Sequence, residues 1–179
     1  MWKRRNKEFL SVCFYRYRRI RRALDMFVCG GRGVMQKLSI VCVGKLKEEF
    51  FRSAVSEYLK RLSRFAKVEI KEIPEGKSLK EEAPNIIKQL KGYIIALCID
   101  GTKLTSEGLA KEVKRHCDKG EKITFVIGSS CGLDESVKAA ADLKLSFSDM
   151  TFPHQLMRVI LLEQVYRSFM INSGAEYHK

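Results

Sequence analysis

LKLSFSDMTFPHQLMRVILLEQVYRSF, residues Leu143 to Phe169, is the most informative stretch of the chain. It predicts a short strand, a polar turn and a long helix. Pro153 suits the first turn of that helix, where its missing N–H would have no partner anyway. Beyond it, Leu156, Val159, Ile160, Val165, Tyr166, Phe169 and Met170 fall on one broad apolar arc, which Leu161 and Leu162 extend toward the opposite side. A helix that is apolar over more than one face has to be buried on more than one face. A chain of 179 residues is too small to wrap it alone, so a partner subunit is expected. His154, Arg158, Glu163, Gln164 and Arg167 sit among the apolar positions and need polar partners, some of which a binding site would supply.

Upstream, strands and helices alternate. KLSIVCV, Lys37 to Val43, is apolar and β-branched and predicts a buried strand that Gly44 ends. Glu48 to Leu62 carries Phe50, Phe51, Val55, Tyr58, Leu59 and Leu62 at helical spacing. KVEIKEI, Lys67 to Ile73, alternates strictly and predicts a half-exposed strand stopped by Pro74. A short helix is expected from about Pro84 to Leu90. YIIALCI, Tyr93 to Ile99, predicts a third strand, with Asp100 and Gly101 turning the chain. Thr105 or Ser106 caps a helix to about Lys119, and Gly120 closes it. ITFVI, Ile123 to Ile127, is the fourth strand; Asp134 starts a helix through Ala141, and Leu143 to Phe147 is the fifth strand. This β-α order implies an α/β fold, a mostly parallel sheet with helices on both faces. In such sheets ligands bind beyond the carboxyl ends of the strands. Three loops leave those ends: Leu97 to Gly101, Gly128 to Gly132, and Phe147 to Phe152. A ligand site at their junction follows from topology alone.

Composition narrows the class. No apolar run approaches the roughly 20 residues of a membrane span. The net charge of +13 points to a polyanionic partner. That charge is uneven: residues 1 to 34 hold ten basic and two acidic side chains, a net of +8, and the rest carries +5. The basic, aromatic opening lacks a long clean apolar core and does not read as a convincing secretory signal. It reads as an RNA-gripping arm, an Arg-rich targeting sequence, or a tail outside the fold. Because the first strand follows Met35 at once, the functional protein is expected to begin there, with 35–179 as its domain. The six cysteines show no CxxC pair and no Cys/His cluster at metal-ligand spacing, so no metal is expected. Cys42 and Cys98 read as small core residues, and a reduced, cytoplasmic protein is the natural inference.

The loop GSSCG, Gly128 to Gly132, could admit a ligand close to the backbone, but it is neither GxGxxG nor a Walker loop. A plain strand-to-helix turn is the commoner meaning of such a loop. No GxSxG elbow or HExxH is present. His116 reads as a solvated helix residue. His154, beside Pro153, is a candidate for chemistry, although a lone histidine is more often structural.

Four features together resemble a known family. They are VGK at Val43 to Lys45, the strand followed by GxxxGL at Gly128 to Leu133, LSxSxMTFPHQLMRVxLxEQVYR from Leu145 to Arg167, and the terminal YHK. The chain from Met35 to Lys179 resembles the small SPOUT-class methyltransferases of the RlmH type; residues 1 to 34 have no counterpart there. The resemblance implies a sheet whose C-terminal part is tied in a trefoil knot, a rare exception to ordinary topology. It implies a homodimer that uses S-adenosylmethionine to methylate N3 of a pseudouridine in large-subunit (23S) rRNA on the assembled ribosome. By motif, the cofactor site would be Leu97, Gly128 and the loop Phe147, Ser148, Asp149, Met150, Thr151 and Phe152. Cationic groups near the acceptor would lower the pKa of its N3–H. Arg158 and the tail residues Tyr177, His178 and Lys179 are the candidates, and His154 or His178 is the candidate base. Arg158 reads equally as a buried partner of Glu163 or of a backbone carbonyl. Two positions depart from the family: Cys98 stands where an acidic residue is common, with Asp100 as a possible substitute, and Ser129 replaces a second glycine. A SPOUT enzyme acting on another RNA such as tRNA, and a non-catalytic dimeric ribosome-binding factor, are the alternatives.

Overall fold

The apolar, β-branched runs of the sequence become five strands of one sheet. The computed structural model describes residues 35–175 and Tyr177; the basic extension, His178 and Lys179 lie outside the described residues. β1 (Gln36–Val43), β2 (Ala66–Ile73), β3 (Tyr93–Lys103), β4 (Ile123–Ile127) and β5 (Leu143–Ser146) are ordered β2-β1-β4-β3-β5. Every pairing is parallel. Each strand's place follows from its pattern. ITFVI is buried at all five positions and lies at the centre, whereas the alternating β2 forms an edge and keeps its charged side chains toward water.

Five helices cover the sheet: α1 (Glu49–Leu62), α2 (Leu79–Ile87), α3 (Ser106–Asp118), α4 (Glu135–Ala139) and α5 (His154–Asn172). Alternate strand residues serve opposite faces. Leu38, Ile40, Ile95 and Phe125 pack under α1, α3 and α5, meeting Val55, Val113, Leu161, Val165 and Phe169. Val41, Val43, Ala96 and Val126 face the other way, toward Ala83 and Ile86 of α2 and Val137 of α4. Phe125 and Phe169 are wholly buried, and truncating either to alanine would cost about 3–5 kcal/mol.

α5 packs against both α1 and α3, and its polar residues find partners within the chain. Asn172 Nδ2 donates to the Ala110 carbonyl at 2.7 Å, and Ser106 Oγ donates to Gln164 Oε1 at 3.0 Å. Glu163 pairs with Arg167 at 2.7 Å and not with Arg158. Leu161, Leu162, Val165 and Phe169 are buried, while Leu156, Val159, Ile160 and Met170 remain half-buried.

Three local expectations are corrected. Asp100 and Gly101 do not turn the chain: β3 continues to Lys103 with a bulge, because Leu97 and Thr102 both pair with Leu145. Gly101 permits it, since a Cβ there would stand 2.8 Å from backbone atoms of Lys144 and Leu145. The second helix starts at Leu79, not near Pro84. Two glutamates in its first turn outweigh the proline: Glu81 accepts from the Lys77 N–H at 2.9 Å and Glu82 from the Gly76 N–H at 3.1 Å. Pro84 is exposed, so water can serve the Lys80 carbonyl that loses its bond. His116 is not solvated. It is buried, stacked 3.6 Å from the Tyr93 ring, with Nδ1 against Glu121.

Candidate functional site

β4, β3 and β5 are neighbours, so the loops that leave their carboxyl ends emerge side by side. They enclose a cavity of about 780 Å³. Its wall includes Leu97 from β3, Gly128 from the β4 loop, and Phe147, Ser148, Met150, Thr151 and Phe152 from the β5 loop. His154 and Met157, at the start of α5, complete the wall. Asp149 is not part of it; its carboxylate is exposed and paired with Lys103.

The β4 loop is shaped by close contact. A Cβ on Gly128 would lie 2.0 Å from the Gly132 carbonyl oxygen, so only glycine lets the loop fold back there. The Gly132 N–H closes the turn onto the Ser129 carbonyl at 3.0 Å, and Gly132 itself has φ +92°. Ser129 does not have positive φ, so serine is accommodated there without backbone strain. After the loop, Asp134 caps α4 by accepting from the Ser136 N–H at 2.9 Å. The β5 loop is held by Ser148, whose Oγ accepts from the Met150 N–H at 3.0 Å and whose carbonyl accepts from Ser146 Oγ at 3.1 Å. Such serine bonds stiffen a turn that has no ladder.

Arg158 is 1% exposed and is not among the cavity-wall residues. One of its terminal nitrogens donates to the carbonyls of Val43 and Gly44, at 2.8 and 2.6 Å. The other donates to Glu72 at 2.8 Å. The guanidinium therefore ties α5 to the β1 loop, and Lys47 N–H adds a bond to Gln155 Oε1 at 2.9 Å. Gly44, at φ +79°, leaves open the side that faces His154: a Cβ there would come 3.6 Å from His154 Nε2. Tyr177 is not among the cavity-wall residues. Its ring meets Tyr166 edge-on at 5.0 Å, and the Arg167 guanidinium lies 5.0 Å from its centroid.

Lys138 is the wall residue with chemistry that lies outside the three expected loops, whereas Cys98, Asp100 and Cys131 lie within them. Cys98, read as core, is half-buried on the wall. Burial pushes its thiol up, and the Asp100 charge adds to that. Asp100 is held below the usual carboxylate range by a backbone N–H and by Lys138. Lys138 is held up, chiefly by its bond to Glu135. The bulge brings Cys98 and Asp100 to the cavity, and short helix α4 brings Lys138.

The wall is mostly apolar, with hydroxyls, backbone groups, one carboxylate and one ammonium. That composition suits a nucleoside-like ligand with flat apolar faces and does not suit a polyphosphate. Among the described residues, no three His, Cys, Asp or Glu side chains cluster as a metal site. No described helix is long and apolar enough to cross a membrane.

Known proteins share this sequence and architecture. A crystal structure from Neisseria gonorrhoeae, described as a methylase-family protein, has a similar fold at TM-score 0.50 and 10% identity, over 73% of this chain and 82% of that one. The ribosomal RNA large subunit methyltransferase H of Caldicellulosiruptor saccharolyticus is 46% identical over 79% of this chain and 99% of its own length. Its counterpart in Bifidobacterium animalis subsp. lactis is 49% identical over the same shares. The family model "Predicted SPOUT methyltransferase" matches residues 36–178. The chain belongs to the SPOUT methyltransferase family.

Proposed function

We propose that this protein methylates N3 of a pseudouridine in large-subunit (23S) rRNA on the assembled ribosome, with S-adenosylmethionine as donor and as a homodimer. The observation that carries the reading is the convergence of the β3, β4 and β5 loops on one cavity, in a chain almost half identical to relatives named for large-subunit rRNA methylation. A ribosomal substrate places its work in the cytoplasm. Residues 35–179 form the catalytic domain, and residues 1–34 are an appendage to it. The C-terminal strand, loop and helix form the family's trefoil knot.

When bound, S-adenosylmethionine supplies an electrophilic methyl group on a sulfonium. Leu97, Gly128 and the β5 loop residues Phe147, Ser148, Met150, Thr151 and Phe152 would hold it, with backbone groups meeting the adenine edge and apolar side chains its faces. Asp149 positions that loop from outside through Lys103. Fixing donor and acceptor in line is worth up to roughly 7–11 kcal/mol of the barrier. His154, on the wall, takes the N3 proton. Arg158 acts on the chemistry by anchoring the helix turn that carries His154. In the homodimer, the tail residues Tyr177, His178 and Lys179 would serve the partner's cavity, with Lys179 as the cation that favours the acceptor anion.

The test is a deletion strain whose rRNA and tRNA nucleosides are separated by mass spectrometry. Loss of one methylated pseudouridine from large-subunit rRNA, restored by the wild-type chain, is expected. Loss confined to tRNA would replace the substrate, and unchanged nucleosides in both pools would leave a ribosome-binding factor. Calorimetry adds a direct check: the full chain binds S-adenosylmethionine, and a chain that does not bind it is no methyltransferase.

A further inference from the structure

Among the described residues, the cavity wall has one carboxylate and one ammonium, and they face each other. Asp100 Oδ2 lies 3.5 Å from Lys138 Nζ. The two come from separate parts of the fold. Asp100 rides on the segment that the β3 bulge ejects from the ladder, and Lys138 sits in the last turn of α4. Their environments differ as well: the Lys138 side chain is 16% exposed and the Asp100 side chain 62%. A half-sunken ammonium offers a fixed donor, and an exposed carboxylate above it offers a movable acceptor. Lys138 also donates to Glu135 at 2.9 Å. An ammonium carries three N–H donors, so one remains beyond these two carboxylates.

Resting on the methyltransferase reading, we propose that Asp100 and Lys138 are the subsite for the zwitterionic amino-acid end of the donor. Asp100 receives the α-ammonium and Lys138 the α-carboxylate. Charge complementarity carries the assignment. An adenine ring and a ribose have no formal charge to match either group, whereas an α-amino acid presents one of each sign a few ångströms apart. No other Asp, Glu, Lys or Arg is among the wall residues, so the wall offers the zwitterion no other paired charges of opposite sign. The electrostatics agree: Asp100 is stabilised as an anion and Lys138 as a cation. The assignment also gives the bulge a purpose, because a regular β3 would keep Asp100 in the ladder.

Calorimetry on the full chain with three probes tests it: S-adenosylmethionine, S-adenosylhomocysteine, and 5′-methylthioadenosine, which keeps adenine and ribose but lacks the amino-acid end. Asp100→Asn and Lys138→Gln are each expected to weaken the first two by about tenfold, the scale of one charged hydrogen bond, and to leave the third unchanged. Equal weakening of all three by Asp100→Asn would place that carboxylate on the ribose and overturn the proposal. Unchanged affinities in both variants would overturn it too, while leaving the methyltransferase reading intact. A wild-type chain that binds none of the probes would remove that reading and the subsite together.

Discussion

Arg158 shows how one side chain can join two requirements. Its guanidinium is buried, accepted by two carbonyls of the β1 loop and by Glu72. Removing it leaves buried acceptors unpaired, so Arg158→Ala is expected to lower unfolding free energy by roughly 3 kcal/mol in a urea titration. Glu72→Gln should cost clearly less, because the Glu72 side chain is 35% exposed and water can replace it. An equal cost for both would assign the anchor to the ion pair instead of the carbonyls. Tyr93 offers a second test. Burial, and then its 2.6 Å bond to Glu112, push its phenol from 10.0 to about 12. The folded state thus favours the neutral phenol. Its stabilising contribution is complete below pH 10 and is lost as pH rises toward about 12. Tyr93→Phe should therefore flatten the alkaline limb of the stability profile over that window, and an unaltered limb would refute this. Of these residues, the sequence exposed little. His116 looked solvated because its neighbours on the helix are charged; its stacking on Tyr93 depends on a strand 23 positions away.

At the level of elements, the strands were legible because burial leaves a direct mark on composition. ITFVI was legible as a strand and proves central, and KVEIKEI was legible as half-exposed through its alternation and proves an edge. The β3 bulge was not legible. Asp-Gly is a common turn signal, and only the sheet partner Leu145, more than forty residues later, reveals that the chain runs on. The junction of three loops was foreseen from topology, and Gly128 lies on its wall. That glycine and Ser129 give the element-level prediction. Gly128→Ala must displace the Gly132 carbonyl and is expected to weaken S-adenosylmethionine binding more than tenfold by calorimetry. Ser129→Gly should change it less than twofold, because Ser129 already has an ordinary backbone conformation. The reverse order of effects would mean that the loop is not held by close packing.

For the whole molecule, the open question on the sequence was how α5 could bury so much apolar surface. Packing against α1 and α3 answers part of it. Leu156, Ile160 and Met170 are left half-buried, the remainder that the proposed homodimer would cover. Sedimentation equilibrium is expected to return twice the chain mass, and Ile160→Glu to return the single-chain mass with unchanged far-UV circular dichroism. A monomeric wild type would remove the partner, and with it the role given to the C-terminal tail. Charge also belongs to this scale. With +5 outside the first 34 residues, ribosome association should weaken as salt rises.

The register skip in β3 has one more outcome. Between Leu97 and Thr102 the backbone has no ladder partner in β5, so the amides of Cys98 to Gly101 should swap protons for deuterium much faster than the strand on either side. An occupant of the cavity would rest on that segment. Its arrival becomes readable as a slowing confined to one peptide, with no label attached and no turnover required.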